Sequence, residues 1–376
     1  MTDTCAPISP TERIARLRLA RTGGIGPITY RQLMARFANA AAALEAVPEL
    51  ARRAGGRAPR VASKSAADAE LDRAAQAGAT LVTLGEAAYP SAVAAIEDAP
   101  PVLTLLGRAE LPARPTVAIV GARNASAGAC RIAQDLAREL GAAGFVVTSG
   151  FARGIDAAAH AGSLSTGTIA VFAGGADVIY PPEHAALHRS VAAQGLILSE
   201  LPLGTEPHAR HFPRRNRLIS GLSSGVVVVE AALRSGSLST ARFALEQGRE
   251  VMAVPGSPLD PRCRGSNHLL REGARLVEGI DDILTALGGS IALADPSPLQ
   301  AEAPPPALAY PPEAALSGDL EPHLQVAERL GPTPVAVDEL VRQCQMSPPV
   351  VRAALLDIEL AGRLERHPGD RVSLLP

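Results

Sequence analysis

One short segment concentrates the residue types that bind nucleic acid. Residues 208–217 carry four arginines and two histidines around a single phenylalanine, Phe212. Arginines bind phosphates, an aromatic ring stacks on an unpaired base, and Asn216 could contact base or sugar edges. The pattern favours a single-stranded nucleic-acid site made of Phe212, Arg214, Arg215, Asn216 and Arg217. The alternative is a solvated basic face with Phe212 in the core.

The position of this segment on a helix strengthens the argument for an anion. Pro213 is expected at the first position of a helix, where its missing N–H is not needed. The arginines that follow would then crowd the positive end of the helix dipole. That arrangement is unfavourable unless an anion neutralises it.

Two other turns place an arginine close to glycine, at residues 121–126 and 149–156. A nicotinamide or flavin site would need G-x-G-x-x-G in the first turn, but the next glycine there is Gly128. We therefore expect no cofactor, and instead an anion held by an arginine side chain and the backbone together. The turns add five residues to the expected site: Gly121, Arg123, Ser149, Gly150 and Arg153.

Three patterns that resemble catalytic or metal sites are better explained otherwise. Asp156 and His160 lie four residues apart, where a capping aspartate and a packed histidine are more common than a serine triad. The G-x-S-x-G at residues 221–225 has a helix before it and a strand after it, the reverse of a nucleophile elbow. His184 and His188 have helical spacing but no third ligand nearby. We expect neither a catalytic nor a metal site, and a protein that is not an enzyme.

The elements that must position these residues form a regular alternation. Stretches of 10–25 residues, long enough for crossover helices, separate six short apolar, β-branched runs, at residues 116–120, 145–148, 168–172, 196–199, 226–229 and 250–254. This alternation predicts an α/β fold, an extended Rossmann-like doubly wound parallel sheet covered on both faces. Ligands bind such sheets beyond the carboxyl ends of the strands, which is where both arginine turns fall.

The two ends of the chain predict smaller domains. Residues 12–50 predict short helices, and the Gly/Pro turn at 22–27 resembles a helix-hairpin-helix or is simply a helical turn that needs glycine. Three short helices and a hairpin after residue 319 predict a winged helix. We expect an N-terminal helical domain at 1–75, the Rossmann domain at 76–288, a Pro/Ala linker at 289–318 and the winged helix at 319–376.

Composition limits the possible partners and location. Residues 1–114 carry 14 basic and 11 acidic side chains, residues 115–288 carry 16 and 15, and residues 289–376 carry 6 and 12. A polyanion site in the middle must therefore be a local cluster. The N-terminus lacks the pattern of a signal peptide, no run reaches the ~18–20 apolar residues of a membrane span, and four widely spaced cysteines indicate reduced thiols. These features predict a cytoplasmic protein without membrane contact.

Motifs in a fixed order across residues 80–277 resemble the DprA (Smf) family. They are Val120-Gly121-Ala122-Arg123, Ser149-Gly150-x-Ala152-x-Gly154-Ile155-Asp156-x-x-x-His160, Tyr180-Pro181, Ser199-Glu200, Phe212-Pro213-x-Arg215-Asn216-Arg217, Glu230-Ala231, Ser235-Gly236-Ser237 and Val254-Pro255-Gly256. Two positions depart from the family, Ala122, where it often has serine, and Phe151, where it has a smaller aliphatic residue.

The resemblance implies a Rossmann domain that binds single-stranded DNA and a protein that loads the RecA recombinase in natural transformation. It also implies a homodimer, which we expect to form through Leu269 and Leu270. Adjacent leucines point about 100° apart on a helix, so the alternative is a helix packed on two sides within its own domain. The DNA pocket carried over from the family would be lined by Arg123, Ser149, Gly150, Phe212, Arg214, Arg215 and Asn216.

The sequence leaves two other functions to compare with this one, a nucleotide hydrolase and a transcription regulator. Lysine decarboxylase-like hydrolases of nucleoside monophosphates carry P-G-G-x-G-T-x-x-E, but the loop at 235–240 lacks the glutamate three residues after Thr240. A transcription regulator would act through the winged helix, whose candidate recognition helix offers Arg352 alone against Asp357 and Glu359. We expect that helix not to bind DNA in a sequence-specific way.

Overall fold

The computed structural model describes residues 8–53, 59–292, 322–331 and 334–375. These residues form two compact units, one from 69–292 and the other from the described parts of 8–68 and 322–375. The predicted linker lies outside the described residues, except for 289–292, which end a helix. None of the described helices is both long and apolar enough to cross a membrane. Three cysteines are free thiols, and Cys5 lies outside the described residues.

Three helices form the N-terminal part of the chain. They are α1 (Pro10–Ala20), α2 (Pro27–Arg36) and α3 (Ala40–Arg53). Ser9 caps α1 by accepting a hydrogen bond from the amide of Glu12 at 3.2 Å. Pro27 opens α2, as the preference of proline for the first helical turn predicts. The predicted glycine turn joins α1 to α2, and Gly24 within it has a φ of +82°.

The middle of the chain alternates strands and helices as predicted. The strands are β1 (Ala79–Thr83), β2 (Val102–Gly107), β3 (Thr116–Val120), β4 (Val146–Ser149), β5 (Thr168–Val171), β6 (Leu196–Ser199), β7 (Gly225–Val228), β8 (Glu250–Ala253) and β9 (Arg275–Leu276). The helices are α4 (Lys64–Gln76), α5 (Ser91–Ala94), α6 (Ala127–Ala142), α7 (Ile155–Ser163), α8 (Ala185–Gln194), α9 (His211–Leu222), α10 (Ser237–Glu246), α11 (Arg264–Arg271) and α12 (Ile280–Ala292). All six predicted strands are confirmed, each end within one residue.

The nine strands form one sheet in the order β1-β2-β6-β5-β4-β3-β7-β8-β9. Strands β3 to β9 are parallel to one another, whereas β1 and β2 add an antiparallel edge beside β6. The chain runs outward from β3 to β6 and then returns to the other side of β3 with β7. This reversal opens a crevice at the carboxyl ends of β3 and β7.

Two apolar layers cover the sheet, as the doubly wound prediction requires. On one face the strands pack against Leu218 and Leu222 of α9 and Ala241 of α10. On the other face they pack against Leu140 of α6 and Leu287 of α12. Because both faces are buried, the central strands are apolar throughout instead of alternating.

The C-terminal part is the predicted winged helix. It consists of α13 (Pro322–Arg329), β10 (Val335–Ala336), α14 (Val337–Cys344), α15 (Pro348–Leu360), β11 (Leu364–His367) and β12 (Arg371–Leu374). The strands form a sheet in the order β10-β12-β11, so β10 adds a strand that the sequence did not predict. Val351 and Leu355 of α15 pack into the core of this domain.

Helix α15 is also covered from its other side. Leu356 and Leu360 belong to the apolar core of α1, α2 and α3. Arg36 of α2 forms an ion pair with Asp357 at 3.4 Å. Only Pro348 and Arg352 of α15 are exposed. The helix that a winged helix would place in a DNA groove is therefore packed between two parts of its own unit.

Candidate nucleic-acid interface

A cavity of about 580 Å³ lies at the carboxyl ends of β3 and β7. The loops after β3, β4, β7 and β8 and the first turns of α9 and α10 surround it. Five of the ten expected site residues line it, namely Gly121, Arg123, Phe212, Arg215 and Asn216. The reversal of strand order beside β3 thus coincides with the cavity, as it does for ligand sites in open α/β sheets.

An arginine and an aromatic ring face each other in the cavity wall. The guanidinium carbon of Arg123 lies 5.1 Å from the ring centroid of Phe212. The ring of Tyr180 lies 5.6 Å from that of Phe212. Phe212 is half-buried and Arg123 is exposed, and Arg123 forms no ion pair with a carboxylate of the described residues. The pair offers a cation and an aromatic surface to the same ligand.

Arg215 is held beneath the cavity instead of projecting into it. Its Nη1 donates hydrogen bonds to the carbonyl oxygens of Gly150 and Val171. Burial lowers the pKa of the Arg215 guanidinium to about 10, and the nearby Asp156 carboxylate limits the decrease. A Cβ atom at Gly150 would lie 2.7 Å from Nη2 of Arg215, so a side chain at this position would have to displace the guanidinium. Arg215 therefore ties the loop after β4 to the sheet.

The side-chain amide of Asn216 is used within the protein. Its Nδ2 donates to the carbonyl oxygen of Gly236 at 3.2 Å and to Oγ of Ser239 at 2.8 Å. Its Oδ1 accepts a hydrogen bond from Nε of Arg215 at 3.2 Å. Asn216 lines the cavity, but these hydrogen bonds fix α9 to the start of α10. The sequence had predicted that the Asn216 side chain contacts base or sugar edges instead.

Arg217 lies away from the cavity, contrary to the sequence prediction. Its guanidinium is 4% exposed and forms ion pairs with Glu200 at 2.5 Å and Asp98 at 3.1 Å. Arg214 is exposed, but its Nε also pairs with Glu200 at 3.0 Å. The physical reason is the position of two carboxylates: Arg217 lies in the second turn of α9, which begins at His211, and faces Glu200 and Asp98 instead of the cavity.

Three other expected residues also lie outside the cavity wall. Ser149 is buried, and its hydroxyl donates to the carbonyl oxygen of Ile119 at 2.6 Å. Gly150 is buried against Arg215. Arg153 is exposed and forms an ion pair with Glu183. The second arginine turn therefore supports the cavity from below and beside it.

The groups that resembled a catalytic triad or a metal site have other partners. Asp156 accepts hydrogen bonds from the amides of Gly150 and Ala152, both at 3.1 Å. Nδ1 of His160 lies 2.7 Å from Oγ1 of Thr168. Ring nitrogens of His184 and His188 lie 3.3 and 3.0 Å from the carbonyl oxygens of Phe151 and Ala176. Within the described ranges, no three His, Cys, Asp or Glu side chains cluster as metal ligands would.

The cavity contains residues that the sequence argument did not select. Four of them follow strand ends: Asp156 after β4, Arg234 and Ser237 after β7, and Arg262 after β8. Gly236 occupies the cap position of α10, and no side chain caps this helix. Arg234 could have been found from its position six residues after β7. Like Arg123, it is exposed and has no carboxylate partner among the described side chains.

The chain is similar to known proteins over most of its length. Residues 80–288 match the family model of DNA recombination-mediator protein A, residues 10–73 match a DprA-like N-terminal HHH domain, and residues 303–370 match a DprA winged helix domain. The chain is 41% identical to Protein Smf of Escherichia coli strain K12 over 294 residues, 76% of this chain and 75% of that protein.

Solved structures agree with the sequence matches. The X-ray structure of DNA processing protein A from Streptococcus pneumoniae has a TM-score of 0.59 and 33% identity, covering 74% of this chain and 98% of that one. DNA processing protein A from Helicobacter pylori, whose structure describes a single-stranded DNA binding mode, has a TM-score of 0.52 and 32% identity, covering 56% of this chain and 96% of that one. The chain belongs to the DprA (Smf) family of DNA recombination-mediator proteins.

Proposed function

We propose that the cavity beside β3 and β7 binds single-stranded DNA. The observation that carries the proposal is the pair of Arg123 and Phe212, with a cation 5.1 Å from an accessible aromatic ring. Stacking on an aromatic ring is available only to a base that is free of its partner and neighbours. The single-stranded DNA binding mode described for the Helicobacter pylori relative supports the same assignment.

The charges around the cavity agree with a local phosphate-binding cluster. Arg123 and Arg234 lie on separate loops of the cavity and have no carboxylate partners in the described part of the chain. The cations of Arg214, Arg217 and Arg262 are paired with carboxylates. Free arginines can form bidentate contacts with phosphate oxygens. We infer that Arg123 and Arg234 bind the DNA backbone while Phe212 stacks on a base.

The proposal also covers the activity, the partners and the oligomeric state of the protein. We propose that the protein is not an enzyme but delivers bound DNA to a RecA recombinase, as the family assignment suggests, and that it acts as a cytoplasmic homodimer. Leu269 and Leu270 of α11 are both half-buried against the core of their own domain. This packing also agrees with the alternative to a dimer, in which α11 packs on two sides within its own domain. The division of the chain at residues 75, 288 and 318 likewise stays a prediction.

The proposal is tested by binding of fluorescent oligonucleotides of equal length, one single-stranded and one duplex, across a salt series. Single strands should bind more tightly at every salt concentration, and their affinity should fall as salt rises because bound phosphates release counterions. Release of base from a nucleoside monophosphate would instead favour the nucleotide hydrolase. Faster RecA filament formation in the presence of the protein would support the recombinase-loading step.

A further inference from the structure

Tyr180 presents an aromatic ring to solvent beside the cavity. The residue is 48% exposed, and its ring centroid lies 5.6 Å from that of Phe212. The planes of the two rings are inclined to each other by 57°. A flat base cannot stack on both rings at this angle, so each ring offers a separate surface to a base. Tyr180 therefore adds a second aromatic surface next to the one that faces Arg123.

The position of Tyr180 in the sheet extends the interface in one direction. Tyr180 lies in the loop after β5, whereas the loops that surround the cavity follow β3, β4, β7 and β8. In the sheet, β4 separates β5 from β3, and all three strands are parallel. Their carboxyl ends therefore lie along one edge, where ligands of such sheets bind. The ring of Tyr180 continues the interface along this edge, from the cavity towards β5.

Hydrogen bonds to a neighbouring loop fix the loop that carries Tyr180. The amide of Gly175 donates to the carbonyl oxygen of Thr205 at 2.8 Å. Oδ1 of Asp177 accepts a hydrogen bond from the amide of Gly204, also at 2.8 Å. The loop after β5 is thus tied on both sides of its first turn to the loop after β6. Tyr180 rests on a rigid support, as a residue that positions a ligand requires.

The charges near Tyr180 balance each other. Arg153 and Glu183 form an exposed ion pair. Glu183 and, to a smaller extent, the nearby Tyr180 phenol raise the pKa of the Arg153 guanidinium, so the phenol lies close to this pair. A cation that already faces a carboxylate attracts a phosphate less than a free one does. Tyr180 is therefore expected to contribute stacking to a bound strand and no additional phosphate contact.

We propose that Tyr180 is a second stacking subsite, which binds the base next to the one on Phe212 in the same single strand. This inference rests on the proposed function. Successive nucleotides rise ~3.4 Å in stacked DNA and lie further apart in an extended strand, so 5.6 Å between the ring centroids suits neighbouring bases. Because the rings are inclined, the strand turns between the two bases as it leaves the cavity. A free nucleotide has one base and can occupy only one of the two rings.

The test uses tryptophan fluorescence of the full-length protein, because the chain contains no tryptophan of its own. Tyr180→Trp places a single indole at the subsite, and a short oligothymidylate should quench its emission when a base stacks on it. An abasic strand of the same length carries the same phosphates without bases and should not quench it. Phe243→Trp is the matched control, because Phe243 lies on α10 outside the cavity wall, and its emission should stay unchanged.

Affinities measured with the same oligothymidylate give a second readout. Tyr180→Ala should bind about 5- to 150-fold more weakly, the range for one lost base–aromatic stack, with an unchanged salt slope. Tyr180→Phe keeps the ring and should bind as the unmodified protein does. If Tyr180→Ala does not fold, the tryptophan variant decides the question.

Three results would overturn the subsite: an unquenched Tyr180→Trp with the oligothymidylate bound, equal quenching by the abasic strand, or undiminished binding by folded Tyr180→Ala. Binding that requires Phe212 but not Tyr180 would overturn the subsite alone and leave the proposed function standing. If the unmodified protein binds no oligonucleotide, the proposed function fails and the subsite fails with it.

Discussion

The guanidinium of Arg123 lies over the ring of Phe212, 5.1 Å from its centroid, although the two residues come from different loops. Arg123 follows β3 at the centre of the sheet, and Phe212 lies in the first turn of α9. The buried side chains of Arg215 and Asn216 hold α9 against the loop after β4 and the start of α10. The accessible cation and ring thus rest on a rigid support, as a binding site requires.

Arg234 is predicted to contribute as much to the salt dependence of DNA binding as Arg123 does. Arg234→Ala should lower the slope of log affinity against log salt by ~0.7, the value for one lost phosphate contact with a single strand. Arg242→Ala is the control, because Arg242 is similarly exposed on α10 but pairs with Glu246 at 3.5 Å. Equal slopes for the two variants would remove Arg234 from the interface.

Arg217 is predicted to act in folding and not in DNA binding. Arg217→Ala leaves the buried carboxylate of Glu200 without its closest cation, which should lower the free energy of unfolding by about 3–5 kcal/mol. Arg214→Ala removes an exposed partner of the same carboxylate and should cost at most about 1 kcal/mol. Urea unfolding measures both. A stable Arg217→Ala variant with weakened DNA binding would show that the sequence prediction was right about this residue.

His160 is predicted to make stability fall as the solution becomes more acidic. Burial, then the charges of His184 and Arg215, lower its pKa to about 3 in the folded protein. An unfolded histidine binds a proton below about pH 6.5, so between these values the unfolded chain holds one proton more. Stability should therefore fall with decreasing pH, by up to about 1.4 kcal/mol per unit from this residue.

The slope of stability against pH isolates this contribution. His160→Phe removes the titrating group, and Thr168 keeps a hydrogen bond to the carbonyl oxygen of Val147 at 3.1 Å. Urea unfolding between about pH 5 and pH 7 should give a smaller slope for the variant, whatever its absolute stability. An unchanged slope would mean that His160 binds its proton as readily in the folded protein as in the unfolded chain.

Leu356 is predicted to join the winged helix to the N-terminal helices. Its side chain is fully buried in the core of α1, α2 and α3, so Leu356→Ala should cost about 2–5 kcal/mol of stability. Leu324→Ala on α13 is the control, since Leu324 is 41% exposed and its loss should cost within about 0.5 kcal/mol. Equal costs, or sequence-selective duplex binding through α15, would contradict the packing described for this helix.

Much of the fold could be predicted because the physical signals were local. Buried parallel strands are short apolar runs, and all six runs became strands of the sheet. Strands β1 and β2 were missed: β1 pairs in antiparallel fashion with β2, and β2 pairs in antiparallel fashion with β6, which is far away in the sequence. β9 has two exposed residues and no apolar pattern to find.

The site was predicted only in part, because composition does not reveal which arginines are already paired. Phe212 of the segment at 208–217 lines the cavity, whereas Arg217 of the same segment pairs with Glu200, a partner distant in sequence. Arg234 was overlooked because it stands alone beside a serine-rich turn. Whether an arginine is paired with a carboxylate depends on tertiary contacts, and a local sequence pattern does not reveal those contacts.

The central claim is tested most directly by comparing two substitutions of the facing pair in one salt series. Phe212→Ala should weaken binding of a single-stranded oligonucleotide by about 1–3 kcal/mol without changing the salt slope, since stacking releases no counterions. Arg123→Ala should lower the slope by ~0.7. Phe243→Ala is the control, because Phe243 lies under Arg242 at 5.3 Å on α10 and outside the cavity wall. If Phe212→Ala binds the oligonucleotide as tightly as Phe243→Ala does, Phe212 stacks on no base and the proposed site is contradicted.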